Sequence, residues 1–139
     1  MKLSTRSRYG TRLIFELALK FGKGPIYLKD ISKSGDISLK YLGQLIIPLR
    51  AAGIVKSSRG ARGGYYLARN PKSIKLSEII NILEGPINIV GCIQKPDTCN
   101  KNKSCTARFF WKKVNDIFYK SLEDITMQDM LNRYNHLNS

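Results

Sequence analysis

Two short strand-like runs, IVKSS at 54–58 and YYLAR at 65–69, flank the six residues RGARGG. Alternating runs joined by a glycine-rich segment read as a hairpin. Gly60, Gly63 and Gly64 let the backbone lie close to a surface while the guanidiniums of Arg59 and Arg62 project from the turn,. A phosphate-cradling loop is excluded, because no Gly-Lys-Ser/Thr follows and no helix opens behind the glycines. A doubly cationic turn of this kind suits a narrow, electronegative minor groove.

What precedes the hairpin decides its context. Tyr9, Leu13, Leu17 and Phe21, with Ile14 and Ala18 beside them, repeat at helical spacing over residues 8–21 until GKGP,. Leu28 and Ile31 mark a two-turn helix ending near Gly35,. Ser38 then reads as an N-cap for Leu39, Leu42, Leu45, Ile46 and Leu49, with Gly53 as the stop,. Pro48 removes one backbone bond inside this third helix and is expected to kink it, at a cost of about 3 kcal/mol in a free helix,. Helix, helix, helix, hairpin is the order of a winged helix-turn-helix, a mainly α fold with a small β wing.

Charge supports a DNA reading. Of the net +14, residues 1–75 hold nearly all: 16 Lys and Arg face three acids, whereas residues 76–139 have 8 against 7. A basic half of this kind points to a polyanion, and to nucleic acid before membrane. MKLSTRSRYG runs into Glu16 and Lys20 rather than an apolar stretch, and no segment has transmembrane character, so a cytoplasmic protein is expected,. The lone His136 and scattered acids offer no catalytic pair, which excludes an enzyme,. A basic RNA-binding protein is the rival outside this class, although the aromatic sheet signature of single-strand RNA binders is missing.

Recognition helices present N-terminal residues to base edges. Here these are Ser38, Leu39, Lys40, Tyr41, Gly43 and Gln44; Gln44 can pair with adenine, and Lys40 can reach guanine or a phosphate,. Further on, SEIINILE predicts a helix capped by Ser77 and ended by Gly85 and Pro86. Phe110, Trp111, Val114, Ile117, Phe118 and Leu122 predict a strongly amphipathic helix over 106–122, with an apolar face too large for a chain already supplied with a core,. Thr126 and Asp129 resemble a capping box opening a last helix toward Tyr134,. The chain divides into a DNA-binding domain at 1–85, a cysteine loop at 86–105, and a long helix with a short C-terminal one at 106–139.

All three cysteines, Cys92, Cys99 and Cys105, lie in the aperiodic loop GCIQKPDTCNKNKSC. An odd count in a reducing compartment argues for metal or redox chemistry over a disulfide framework. The Cys-x6-Cys-x5-Cys spacing is not the knuckle of a zinc finger. Three thiolates can converge on an iron-sulfur core with a foreign fourth ligand. Zinc, a thiol-disulfide switch, or a loop without a ligand in a regulator that answers to a protein partner are the other readings.

MKLSTRSRYGTR, ISLKYLGQL and LRAAGIVKSSRGARGGYYL, followed by the cysteines and the aromatic helix, resemble the IscR-type winged-helix transcription regulators, the iron-sulfur cluster regulator family. The likeness runs from Met1 to about Leu131. It implies a homodimer joined through Phe110, Trp111, Val114, Ile117 and Phe118 on a pseudo-palindromic operator, with two recognition helices about 34 Å or a multiple of it apart. It implies that Ser38, Lys40, Tyr41 and Gln44 read the major groove, that Arg59, Gly60 and Arg62 form the wing contact, and that Arg6, Tyr9 and Lys56 hold phosphates. Its cofactor is a cluster on Cys92, Cys99 and Cys105, 2Fe-2S before 4Fe-4S. Three departures stand out. Gly43 replaces a frequent Glu. Arg108 stands where the cluster regulator has its His ligand. Arg8 stands where nitric-oxide-sensing members place an acid.

Overall fold

The computed structural model describes residues 3–58, 63–101 and 103–139; Arg59, Gly60 and Arg62, named above for the wing contact, lie outside the described residues. The first helix, α1 (Thr5–Leu19), begins and ends earlier than its periodicity suggests, leaving Phe21 beyond it and 40% exposed. Leu13, Ile14, Leu17 and Ala18 bury one face. Its N-cap Ser4 is held from across the fold: the Ser4 amide donates to Glu84 Oε1 at 2.8 Å and its hydroxyl donates to the same oxygen. A carboxylate at a helix N-terminus also meets the positive end of the dipole.

Helix α2 (Leu28–Gly35) stops at Asp36, which takes the left-handed conformation at φ 51°. Ser38 then caps α3 (Leu39–Ala51) as its position predicts, accepting from the Tyr41 amide at 3.3 Å. The helix continues three residues beyond Pro48, whose carbonyl accepts from Ala52 at 3.0 Å. Leu42, Leu45, Ile46 and Leu49 are buried, whereas Leu39 and Ile47 are 50% and 66% exposed. Leu39 thus shares the heptad-like spacing of its neighbours without sharing their burial.

Strands β1 (Val55–Ser58) and β2 (Gly64–Leu67) pair antiparallel, Val55 opposite Leu67 and Ser58 opposite Gly64. Ile26 adds an isolated bridge to Tyr65 through two 2.8 Å hydrogen bonds, a long-range pairing that no local pattern announces. It also explains Gly64, whose φ is +144° and where a Cβ would stand 2.7 Å from the Ile26 carbonyl oxygen,.

A 3₁₀ turn (Pro71–Ser73) leads to α4 (Leu76–Glu84). Ser77 is not its cap: the N-cap is Lys75 and Ser77 is 3% exposed inside the first turn. The chain starts this helix early because a tertiary bridge sets its entry, with the Leu76 amide bonded to Ile125 O at 2.8 Å and the Met127 amide to Ile74 O at 2.9 Å. Arg69, just after β2, clamps Glu78 on α4 at 2.7 and 3.1 Å. The cysteine loop is not wholly irregular, since it contains a helical turn, α5 (Gly91–Gln94), and a 3₁₀ turn (Pro96–Thr98).

Helix α6 (Thr106–Glu123) follows, then α7 (Met127–Leu137) behind the reciprocal Thr126–Asp129 capping box. Met127 is fully buried and enters the same core as Leu13, Leu42, Leu49, Ile54, Ile74 and Ile79. Burying a side chain of this size contributes about 1.5–3 kcal/mol. Among the described residues no helix is long and apolar enough to cross a membrane.

Candidate functional site

The capped N-terminus of α3 is the centre of the candidate nucleic-acid face. Ser38, Lys40 and Gln44 are exposed there. On a helix of 3.6 residues per turn, Lys40, Gly43, Gln44 and Ile47 form one ridge. A Cβ at Gly43 would meet nothing within 4 Å, so the ridge is locally low and open. Leu39 and Ile47 are apolar groups on this face. Leu39 stands among the base-facing residues named from the sequence, whereas Ile47 does not, although its spacing from Lys40, Gly43 and Gln44 signals it; apolar contacts of this kind suit a thymine methyl.

The two tyrosines are half-buried and brace this helix. Tyr9 on α1 and Tyr41 on α3 meet edge to face, with ring centroids 5.9 Å apart at 78°. Arg8 and Arg12 lie over the Tyr9 ring at 5.9 and 5.4 Å, and Thr5 Oγ1 is 3.0 Å from the Tyr41 hydroxyl. Arg12 also donates to the Gly35 carbonyl at the end of α2. A cation held over an aromatic face is stabilised without losing its charge. The cluster fixes the angle between α1 and α3 and leaves positive charge at their shared edge. Arg6 and Lys56 are exposed beside these elements.

Two carboxylates fasten the frame beneath. Hydrogen bonding to Arg69 holds the Glu78 carboxyl below its ordinary range against the opposing effect of burial,. Burial also opposes ionisation of Glu84, but the Ser4 hydroxyl and amide and the charge of Arg6 together outweigh it and hold this carboxyl low as well.

The cysteines are free, Cys92 and Cys105 half-buried and Cys99 exposed. Their donor chemistry suits iron and sulfide, but their arrangement does not: among the described residues no three Cys, His, Asp or Glu side chains are gathered so as to hold a metal ion. In this conformation the residues present do not fit the cluster. Arg108 sits on the inward face of α6, and its Nε is buried without a hydrogen-bond partner. With Pro96, Asp97 and Lys103 it lines a cavity of about 470 Å³ in the loop. Of the side chains able to supply a fourth ligand, Asp97 shares this cavity with Arg108, whereas Glu16 is half-buried on α1 and His136 is exposed near the end of α7.

On α6 the outward stripe is bare. Phe110, Trp111, Val114 and Ile117 are 56%, 47%, 47% and 62% exposed; Phe118 is half-buried. Phe109, 68% exposed and edge to face with Phe110 at 5.2 Å, adds to this apolar surface without having stood out in the periodicity. Exposed apolar groups on this scale mark an interaction surface.

Comparison with known proteins agrees with this architecture. Residues 3–133 match the Rrf2 family, described as iron-dependent transcriptional regulators. The chain is 40% identical over 130 residues to the HTH-type transcriptional regulator CymR of Bacillus subtilis, covering 94% of this chain and 89% of that one. The solved structure of CymR, the global cysteine regulator of B. subtilis, superposes with a TM-score of 0.84 at 39% identity over 96% of this chain and 98% of that one. That of T. potens IscR superposes with a TM-score of 0.75 at 41% identity, covering 96% and 88%. The winged-helix fold and these regulators, none of them an enzyme, leave one reading of the family: this chain belongs to the Rrf2 family of DNA-binding transcriptional regulators.

Proposed function

We propose that the protein is a homodimeric repressor that binds a pseudo-palindromic double-stranded operator through α3 and the wing, and whose affinity is set by the state of Cys92, Cys99 and Cys105. Residues 1–85 bind DNA, 86–105 form the sensor loop, and 106–139 supply the dimer helix and the C-terminal helix. The carrying observation is the Ser38-capped ridge of Lys40 and Gln44, braced by Tyr9 and Tyr41. Ser38, Lys40, Tyr41 and Gln44 serve the major groove. Arg59, Gly60 and Arg62 serve the minor groove, and Arg6, Tyr9 and Lys56 the phosphates. The bare stripe of Phe110, Trp111, Val114, Ile117 and Phe118 joins the subunits. Work on an operator entails a cytoplasmic protein.

Operator selection followed by binding over a salt series tests this reading. Gln44→Ala is expected to relax discrimination at one position per half-site by about 1–3 kcal/mol, while Lys56→Ala lowers affinity alike on all sequences. Equal affinity and equal salt slope for RNA and for the selected duplex would favour the basic RNA-binding rival.

For the cysteines, thiol chemistry is supported by free thiols that form no ligand group among the described residues and by the likeness to a cysteine regulator. The cluster reading, 2Fe-2S before 4Fe-4S, is supported by the number of thiols and by the likeness to T. potens IscR. Anaerobic reconstitution followed by absorption and by iron and sulfide analysis separates the two. A colourless protein whose operator affinity changes on oxidation retains only the thiol reading. Loss of both responses, with binding unchanged in Cys92→Ala, leaves a regulator that answers to a partner protein.

A further inference from the structure

Ile47 is the most exposed large hydrophobic group of α3, at 66%, and it lies in the middle of the ridge. It belongs neither to the core nor to the partly buried side chains packed against it. At about 100° per residue it falls within about 20° of Lys40 around the helix axis, with Gly43 on one side of it and Gln44 on the other. Leu42, Leu45 and Leu49, all buried, point to the far side. Isoleucine is also less favoured than alanine or leucine at an exposed helix position. Ile47 therefore does little for the free chain.

The ground in front of it is empty. Helical side chains lean toward the N-terminus, so Ile47 reaches over the turn that holds Gly43. There a Cβ on the glycine would meet nothing within 4 Å. The ridge thus contains a shallow hollow, with the Ile47 methyls as one wall and Lys40 and Gln44, both exposed, beside it. A phosphate placed against an alkyl wall loses water and gains no hydrogen bond. On the major-groove edges of the bases, the one apolar group is the C5-methyl of thymine. Hollow and methyl match in polarity, while Lys40 and Gln44 can bond the polar edges on either side.

We infer that Ile47 determines specificity by packing on the C5-methyl group of one pyrimidine in each half-site, which is thymine in unmodified DNA. This deepens the operator reading above and rests on it. From Gln44 to Ile47 the helix rises about 4.5 Å, against about 3.4 Å per base pair, so the methyl lies one or two base pairs from the pair that Gln44 contacts. Burying one methyl corresponds to about a fourfold change in affinity per half-site, and to roughly 15-fold when a two-fold dimer meets two of them. Cytosine has no methyl at C5 and is rejected, whereas 5-methylcytosine regains that increment.

The test uses the full chain and the selected operator, with each thymine replaced in turn by uracil, which lacks only the C5-methyl, in both half-sites at once. One position per half-site, within two base pairs of the one that Gln44→Ala relaxes, is expected to lose roughly 15-fold in affinity. At that position 5-methylcytosine should bind better than cytosine by a similar factor. Ile47→Ala should bind the thymine and uracil duplexes equally, and Ile47→Val, which keeps a β-branched apolar face, should retain most of the difference. Circular dichroism melts of both variants should match the parent, since the side chain lies outside the core. Uracil tolerated at every position, or a uracil penalty undiminished in Ile47→Ala, overturns the assignment. Gln44-dependent discrimination without a methyl effect leaves the operator reading standing and removes this one alone. Failure to select any duplex removes both.

Discussion

Ile117→Ala should separate the subunits without unfolding them. Ile117 is 62% exposed in the single chain, so its truncation leaves the protomer core untouched. Burying a whole isoleucine contributes about 1.5–3 kcal/mol, and the exposed 62% corresponds to roughly 1–2 kcal/mol per subunit,. Two-fold symmetry counts the change twice, giving about 2–4 kcal/mol, which is roughly a 30- to 1,000-fold rise in the dimer dissociation constant. Sedimentation equilibrium over a dilution series measures that constant, and far-ultraviolet circular dichroism at each concentration checks the fold. Operator binding should become concentration-dependent over the same range. A dimer constant within threefold of the parent, with the fold intact, would refute the assignment of this stripe to the subunit contact.

Other substitutions probe the frame. Ser38→Ala removes the cap of α3 and should cost about 1 kcal/mol in urea unfolding, with a larger fractional loss in operator affinity because the frayed turn carries Lys40 and Tyr41,. Gly64→Ala forces a side chain to φ +144° against the Ile26 carbonyl, and calorimetry should show a loss of more than about 1 kcal/mol,. The depressed carboxyls of Glu78 and Glu84 contribute stability that is present above their ordinary range and is lost as pH falls through their folded-state values,. Urea midpoints should therefore drop on acidification below the usual carboxylate range, and Glu84→Gln should flatten part of that drop; a midpoint profile identical to the parent's would sink the Ser4–Glu84 argument.

The parts of this molecule that were readable in its sequence are those whose causes are local. Helical spacing at Leu42, Leu45, Ile46 and Leu49 reports a buried face, and Ser38 and Thr126 cap helices because a side-chain oxygen reaches an amide three residues on,. The misses have distant causes. Ser77 looks like a cap, but a backbone bridge from Ile125 and Met127 starts α4 earlier and turns Ser77 inward. Ile26 reads as loop until Tyr65 pairs with it. Glu84 is by position an ordinary last-turn acid, yet it closes the N-terminus of a helix 80 residues away. The open cavity between α4 and α6 was unreadable for the same reason, because Asn81, Asn88 and Asn115 converge only when the two helices meet.

Arg108 shows how place and chemistry can part company. Arg108, Asn115, Tyr119 and Leu122 are spaced so that they share the inward face of α6, and Arg108 opens onto the loop cavity with Asp97 and Lys103,. The position that the family resemblance gives to a histidine ligand is thus aimed at the cysteine loop, while the side chain in it is a permanent cation that cannot ligate. Arg108→His restores a donor without moving the helix. After anaerobic incubation with iron and sulfide, the variant should retain about tenfold more iron than the parent, on the scale by which a lost metal-site interaction lowers affinity. Removing Cys105 from the same variant should abolish the gain. Iron retention equal in parent and variant would mean that this face of α6 does not serve the loop thiols, and that the loop senses through the cysteines alone.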